Sequence, residues 1–367
     1  MSSIRTNLRK AVISDSTFFL CVSIYVLSTY CFASYRGLED RFSVVMYVVP
    51  AILQFLTVGM LFYAFYIIYV MIKLRPQKLF SFLGLELKTW FLSYKSVRGS
   101  LDFLATCIFL SAMTSFKSLI PDMNAFSWDP ALANFDRLIH GGLAPWEIIQ
   151  PVFGMPFLTH FIDITYGAWF VIMLTAIFWF VFIAENEQLR KQFLLTYILS
   201  WAINGTVLAV LFSSAGPAFF SGIYPEVTNP YQGLMTYLND ASTSYPLFAL
   251  KAQKMLWDFY QSSALGTAGG ISSMPSMHVS IAFLILLACR RSHSLALTLF
   301  ASIFLVLILV GSVHLAWHYA IDGYLSIITT ALIWKLSAYL ASYQIISPVN
   351  CRVVEKNADC AEKSIQI

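Results

Sequence analysis

The strongest constraint on this chain is a series of apolar stretches long enough to cross a bilayer. The first, Ser16–Tyr35, runs for 20 residues without a charged side chain. About 20 apolar residues span a hydrocarbon core of roughly 30 Å. Eight such stretches stand out, at 17–35, 43–72, 101–121, 157–184, 192–213, 274–290, 294–312 and 318–342. The second is longer than a bilayer needs, so it is expected to tilt, kink near Pro50 or project beyond the membrane. The sixth and eighth are the weakest, because each carries an ionisable residue near one end. The first stretch is long enough to stay as an anchor rather than serve as a cleaved signal.

Composition closes off the alternatives. Hydrophobic residues make up 58% of the 367, charged residues 11%, and mean hydropathy is +0.71. Soluble domains carry about 25% charged residues, and one water-facing globule cannot enclose this much apolar side chain. The expected fold is all-α, a polytopic membrane protein of about eight helices. Nucleic-acid binding, cytosolic catalysis and disordered regulation are excluded as function classes. The six cysteines show no CxxC spacing and no cluster, so neither a disulfide framework nor a thiolate zinc site is expected.

Lysine and arginine orient the spans, since cytoplasmic loops are enriched in both. With the N-terminus inside, the cytoplasmic segments hold 17 of the 23 basic residues. The other side holds only Arg36, Arg41, Arg137, Lys251 and Lys254, and Lys117 falls within the third span. Both termini are therefore expected in the cytoplasm, with 347–367 as a short polar tail. The opposite face carries two long segments, 122–156 and 214–273, rich in Pro, Gly, Trp and Tyr and suited to headgroup depth. No internal repeat or soluble domain is evident.

Two motifs carry chemistry on that opposite face. The first runs from Gly269 through Met274-Pro275-Ser276-Met277-His278 into the sixth span. A helix start near Pro275 or Ser276 presents backbone N–H groups suited to an anion. A histidine one turn in can deliver a proton to a bound phosphate ester. The plainer alternative is a helix cap followed by an interfacial histidine.

The second runs from Gly311-Ser312-Val313-His314 through His318 to Asp322-Gly323, entering the last span. His318 and Asp322 are four apart and can meet on one helix face. A carboxylate on one imidazole nitrogen fixes the tautomer and makes the other a better nucleophile. His314 lies one turn back on roughly the same stripe. Ionisable residues at membrane depth are costly, so function is the default reading. A zinc site built from His278, His314, His318 and Asp322 competes. Ligands four apart, however, drift around a straight helix by about 40° per step, and that reading gives the Pro-Ser turn no purpose.

These motifs resemble those of the type 2 phosphatidic acid phosphatase (PAP2) superfamily, which pairs a PSGH-like motif with a later S-R-x5-H-x3-D. Met277 replaces the usual Gly, and Gly311-Ser312 occupy the Ser-Arg positions. The family's K-x6-R-P motif is reduced to Lys117 followed by Asn124-Ala125. The inositol phosphorylceramide synthase-like branch tolerates these departures. It also resembles the chain at Phe135-Asp136-Arg137-Leu138-Ile139-His140-Gly141-Gly142, then Pro145-Trp146. The resemblance covers residues 100–345.

By resemblance, His318 attacks phosphorus to form a phosphohistidine, Asp322 orients it, and His278 protonates the leaving alkoxide. It implies no cofactor and no metal, so side chains must hold the phosphoryl oxygens. Candidates for that binding role are Lys117, Ser276, His314 and Arg137. Snorkelling competes for Lys117, and a local pair with Asp136 competes for Arg137. His140, His160 and Asp163 share the layer without a catalytic assignment.

The chain is thus expected to divide into accessory helices and a cytoplasmic loop (1–99), a six-helix catalytic membrane domain (100–346) and the tail. The expected function is a lipid phosphate phosphatase or phosphotransferase in a plasma or inner membrane. Its site faces the periplasm or lumen, with a membrane lipid as substrate and the bilayer as surroundings. A non-catalytic transporter or scaffold is the other class, but it predicts charges near mid-bilayer and internal repeats, and the sequence shows neither.

Overall fold

The computed structural model describes residues 2–262 and 269–342, apart from the side chains of residues 2–4 and 54. The tail expected at 347–367 lies outside the described residues. Those residues form helices and connecting loops, with no strand among them. In chain order the main helices are α1 (Ser2–Ser14), α2 (Ser16–Tyr35), α3 (Val48–Leu74), α4 (Leu79–Phe91) and α5 (Tyr94–Met123). They continue with α6 (Asp129–Ile139), α7 (Pro145–Phe153), α8 (Pro156–Ile183) and α9 (Glu187–Leu211). The last five are α10 (Gln232–Ser244), α11 (Phe248–Ser262), α12 (Met277–Arg290), α13 (Leu295–His314) and α14 (Ala320–Ser342).

Seven of these, α2, α3, α5, α8, α9, α13 and α14, are long and apolar enough to cross a membrane. The remaining expected span, the sixth (274–290), is shorter than the sequence suggests. Residues 271–276 run without helical structure through Pro275, and α12 keeps only 14 residues, Met277–Arg290. At 1.5 Å per residue it is about 21 Å long. It need not match a lipid thickness, because α8, α9, α13 and α14 enclose it. Lipid exposure is what forces a span to full length.

Pro50 does not kink α3. It falls in the first helical turn, where a missing N–H is harmless. The helix instead runs on for 27 residues and ends in the wide turn Val70–Leu74.

The core is where α9, α12 and α14 meet. Phe193, Leu194 and Ile198 of α9 lie in one buried cluster with Ile281, Leu284 and Ile285 of α12. Side-chain hydrogen bonds stitch the same helices together. Asn204 Nδ2 donates to Ser280 Oγ (3.3 Å) and Thr330 Oγ1 (3.4 Å), and the two hydroxyls bond each other at 2.7 Å. Such interhelical bonds stand in for the hydrophobic drive that helices lack in lipid.

The two ends of the bundle differ in chemistry. At the start of α9 the fully buried Arg190 binds Asp15 between α1 and α2 (2.6 Å), and Asp102 on α5 (2.7 Å). Arg190 also reaches Glu187 (3.1 Å), which binds Arg98 at 2.6 Å. Arg98 and Arg190, expected in cytoplasmic loops, are thus buried in helices. The other end, reached by the C-terminus of α9, carries the short helices α6, α7, α10 and α11 and both histidine motifs.

Candidate active site

Three loops meet at that end: 213–218 after α9, 270–276 before α12, and 315–319 between α13 and α14. Each has a local reason for its path. Helix α13 closes in a Schellman turn, with Ala316 N–H bonding Val313 O (3.1 Å) and Trp317 N–H bonding Ser312 O (3.0 Å). The left-handed residue of that turn is Ala316, at φ 60°, rather than a glycine. His314 therefore ends one helix, and His318 stands just before the next.

The N-terminus of α14 is capped from two directions. Asp322 Oδ2 reaches back to Tyr319 N–H (3.1 Å), one half of a capping box. Asp136 of α6 accepts the N–H groups of Ala320 (2.7 Å) and Ile321 (2.9 Å). Burial pushes the Asp136 carboxyl up to about 6, against the opposing pull of those two N–H groups.

Asp129 does similar work for the first loop. It accepts from the N–H groups of Ala215 (3.0 Å) and Gly216 (2.7 Å) and from the hydroxyls of Tyr319 (2.8 Å) and Tyr224 (3.2 Å). The loop in turn holds the motif before α12. Ser273 N–H donates to Ser214 O (2.9 Å), and Met274 N–H to Ser214 Oγ (3.2 Å).

This framework fixes the histidine pair. His318 Nδ1 lies 2.8 Å from Ser273 O and 3.3 Å from Asp322 Oδ2. The main-chain carbonyl is therefore its nearest acceptor. A proton held on Nδ1 by that carbonyl leaves Nε2 with its lone pair. Ser273 Oγ donates to Asp322 Oδ2 at 2.5 Å, tying the carboxylate into the same group. The His278 ring centre is 6.1 Å from that of His318. Three aromatic side chains of α8 surround His278: Tyr166 at 4.5 Å, Trp169 at 4.4 Å and Phe170 at 6.1 Å. Their i, i+3, i+4 spacing places them on one helix face.

The structure brings His278, His318 and Asp322 together. It also brings Lys117 near. Gly270, at φ 84°, packs against the Lys117 main chain, where a Cβ would come within 2.9 Å of the carbonyl carbon. No described residue accepts a hydrogen bond from the Lys117 ammonium. Ser276 is fully buried and caps α12, its Oγ accepting from Val279 N–H at 3.4 Å. Its carbonyl accepts from Ser326 Oγ at 2.8 Å.

Two candidates lie elsewhere. His314 does not share a stripe with His318, because the helix breaks between them. Its Nε2 meets Thr159 Oγ1 at 2.9 Å, and Thr159 bonds Tyr237 at 2.6 Å. The four-residue zinc set therefore does not assemble, and no other group of three or more metal-ligating side chains does so among the described residues. Arg137 is exposed and donates to Gly142 O (3.2 Å), closing the turn after α6. Its expected partner Asp136 is committed to α14 instead.

Sequence reasoning missed Ser273, Asp129 and the 213–218 loop. Ser273 was legible only as part of a flexible turn. Asp129 could have drawn notice as a lone carboxylate in an uncharged stretch.

A family model described as "PAP2 superfamily" matches residues 130–336, more than half of the chain. The chain belongs to the PAP2 superfamily. The matched region covers nearly all of α6 and runs through most of α14, including His278, His318 and Asp322, and leaves out Lys117 on α5. No curated protein and no solved structure matches the chain.

Proposed function

We propose that this protein is an integral-membrane phosphoesterase or phosphotransferase acting on a lipid phosphate through a phosphohistidine. Superfamily membership supports the reaction class. The observation that carries the mechanism is the 2.8 Å contact between His318 Nδ1 and Ser273 O, which leaves Nε2 as the nucleophile. Nε2 attacks phosphorus, and the bond from phosphorus to the leaving alkoxide breaks. His278 gives that oxygen its proton. His278 then takes a proton from the incoming acceptor, whose oxygen attacks phosphorus and releases His318. Asp322 balances the charge on the His318 ring, and Lys117 neutralises the phosphoryl oxygens.

Transfer to an alcohol, as in the inositol phosphorylceramide synthase-like branch, is the finer reading. The burial of the nucleophile favours it. His318 is 7% exposed, and Asp322 and Ser273 are 0% and 1% exposed. A site that excludes water protects a phosphohistidine from hydrolysis. On this reading the site faces away from the cytoplasm, since it lies opposite the Arg190 end of the bundle, where the basic loops gather.

The test is a paired assay on purified protein in detergent with EDTA, offering lipid phosphates and phospholipids with and without alcohol acceptors. Phosphate release or headgroup transfer that disappears in His318→Ala supports the mechanism, and the product identifies the acceptor. Turnover of no lipid, or equal turnover by wild type and His318→Ala, rejects it.

A further inference from the structure

The position where the PAP2 resemblance places an arginine is Ser312, and its geometry rules it out as a substitute. It is buried, and its hydroxyl donates back to Leu309 O at 2.8 Å. Two other donors on the aromatic side chains of this region have nothing to donate to among the described residues. The hydroxyl of Tyr166 and the indole N–H of Trp317 are both shut off from solvent, and neither has a hydrogen-bond partner among the described residues. Leaving a buried donor unpaired costs as much as a hydrogen bond contributes, or more. Such groups therefore call for an explanation.

Their placement supplies one. The Tyr166 ring lies on the His278 imidazole, 4.5 Å between centres and 24° from parallel. The Trp317 ring lies parallel to that of Tyr166, 6.4 Å away and tilted by only 8°. Trp317 is also the residue next to His318 in the chain. One aromatic column thus runs from the His278 imidazole to the residue next to His318 and carries two idle donors.

We infer that Tyr166 Oη and Trp317 Nε1 bind the phosphoryl oxygens of the substrate, with Lys117 as the only full positive charge among the binding donors. This rests on the phosphotransfer reading and deepens it. Donors fixed by packing need no reorganisation when negative charge develops on the phosphoryl group. Neutral donors also carry a smaller desolvation penalty than a buried guanidinium. The aromatic column orients them as the backbone orients His318.

The test measures orthovanadate binding in detergent without chelator, and lipid turnover in detergent with EDTA, on wild type, Tyr166→Phe and Trp317→Phe. Orthovanadate serves as the probe because it adopts the geometry of a phosphoryl group in transfer. Tyr166→Phe deletes one oxygen and keeps the ring, so thermal unfolding is expected to change little. Each variant is expected to bind orthovanadate at least about tenfold more weakly and to lose turnover in kcat. Unchanged orthovanadate affinity in both variants overturns the inference. Unchanged affinity in Tyr166→Phe with a shifted pH profile of turnover also overturns it, and assigns that hydroxyl to the unpartnered Asp322 Oδ1. If wild type neither binds orthovanadate nor turns over any lipid phosphate, the phosphotransfer reading itself fails, and the inference falls with it.

Discussion

His318 Nδ1 sits 0.5 Å closer to the main-chain oxygen of Ser273 than to the carboxylate of Asp322, at 2.8 Å against 3.3 Å. The tautomer of the proposed nucleophile is therefore set by backbone, which side-chain mutation cannot delete. The Ser273 hydroxyl instead restrains Asp322. Ser273→Ala is expected to keep the neutral His318 tautomer while freeing the carboxylate. Removing a hydrogen bond to a charged group costs about 1.5–3 kcal/mol. Turnover should fall by roughly one to two powers of ten, whereas His318→Ala should abolish it. Steady-state kinetics on the two variants checks this, and equal losses would show that the hydroxyl does more than restrain.

Gly216 gives a sharper test of the loop framework. Its φ is 97°, and a Cβ there would lie 2.8 Å from the Trp317 carbonyl oxygen, a backbone atom that cannot swing aside. Gly216→Ala must either strain the backbone or push apart the loops that seat Ser273 and His318. The expected result is a loss of about 1–3 kcal/mol in stability together with a fall in kcat. Gly167→Ala is the control, because its Cβ meets nothing within 4 Å. Thermal unfolding of both variants decides whether the close approach matters.

Asp136 makes stability depend on pH with a definite sign. Its folded value is raised from the usual carboxylate range to about 6, chiefly by burial. The folded state therefore holds a proton that the unfolded chain gives up earlier. The stabilisation is complete below the unfolded value near 3.8 and is lost as pH rises through about 6. Asp136→Asn does not titrate. The melting temperature of wild type minus that of Asp136→Asn should fall between about pH 4 and pH 7. A difference that stays flat or rises across that range would show that the two N–H bonds from α14 outweigh burial.

Hydropathy made most of the fold legible. Span ends read from the sequence fall within a few residues of the helices for Ser16–Tyr35, Pro156–Ile183 and Leu295–His314. Those elements answer to lipid, and lipid imposes a length. Where protein surrounds a helix the rule lapses, and α12 came out shorter than expected. The site was half legible. His278, His318 and Asp322 carry their chemistry in residue type and spacing. His314 was misplaced because the turn after it places Ala316 in the left-handed conformation, with no glycine or proline to mark it. Asp129 and Ser273 act on segments far away in sequence, and no local pattern records such partners.

The Arg190 network shows a further limit, since counting charges by loop put Arg98 and Arg190 in water. Arg190 is instead 0% exposed and binds carboxylates from two other segments, Asp15 and Asp102. Asp15 sits between α1 and α2, so this arginine joins the N-terminal helices to the bundle. Arg190→Met leaves two carboxylates buried without their cation, which costs about 3–5 kcal/mol. Replacing Asp15 and Asp102 by Asn in the same variant removes the stranded charges and should recover much of that loss. A buried ion pair contributes little over well-packed neutral groups, while half of one is strongly destabilising. Thermal unfolding in detergent reads both variants. A triple variant no more stable than Arg190→Met would mean that Arg190 holds the N-terminal helices by specific geometry rather than by balancing buried charge.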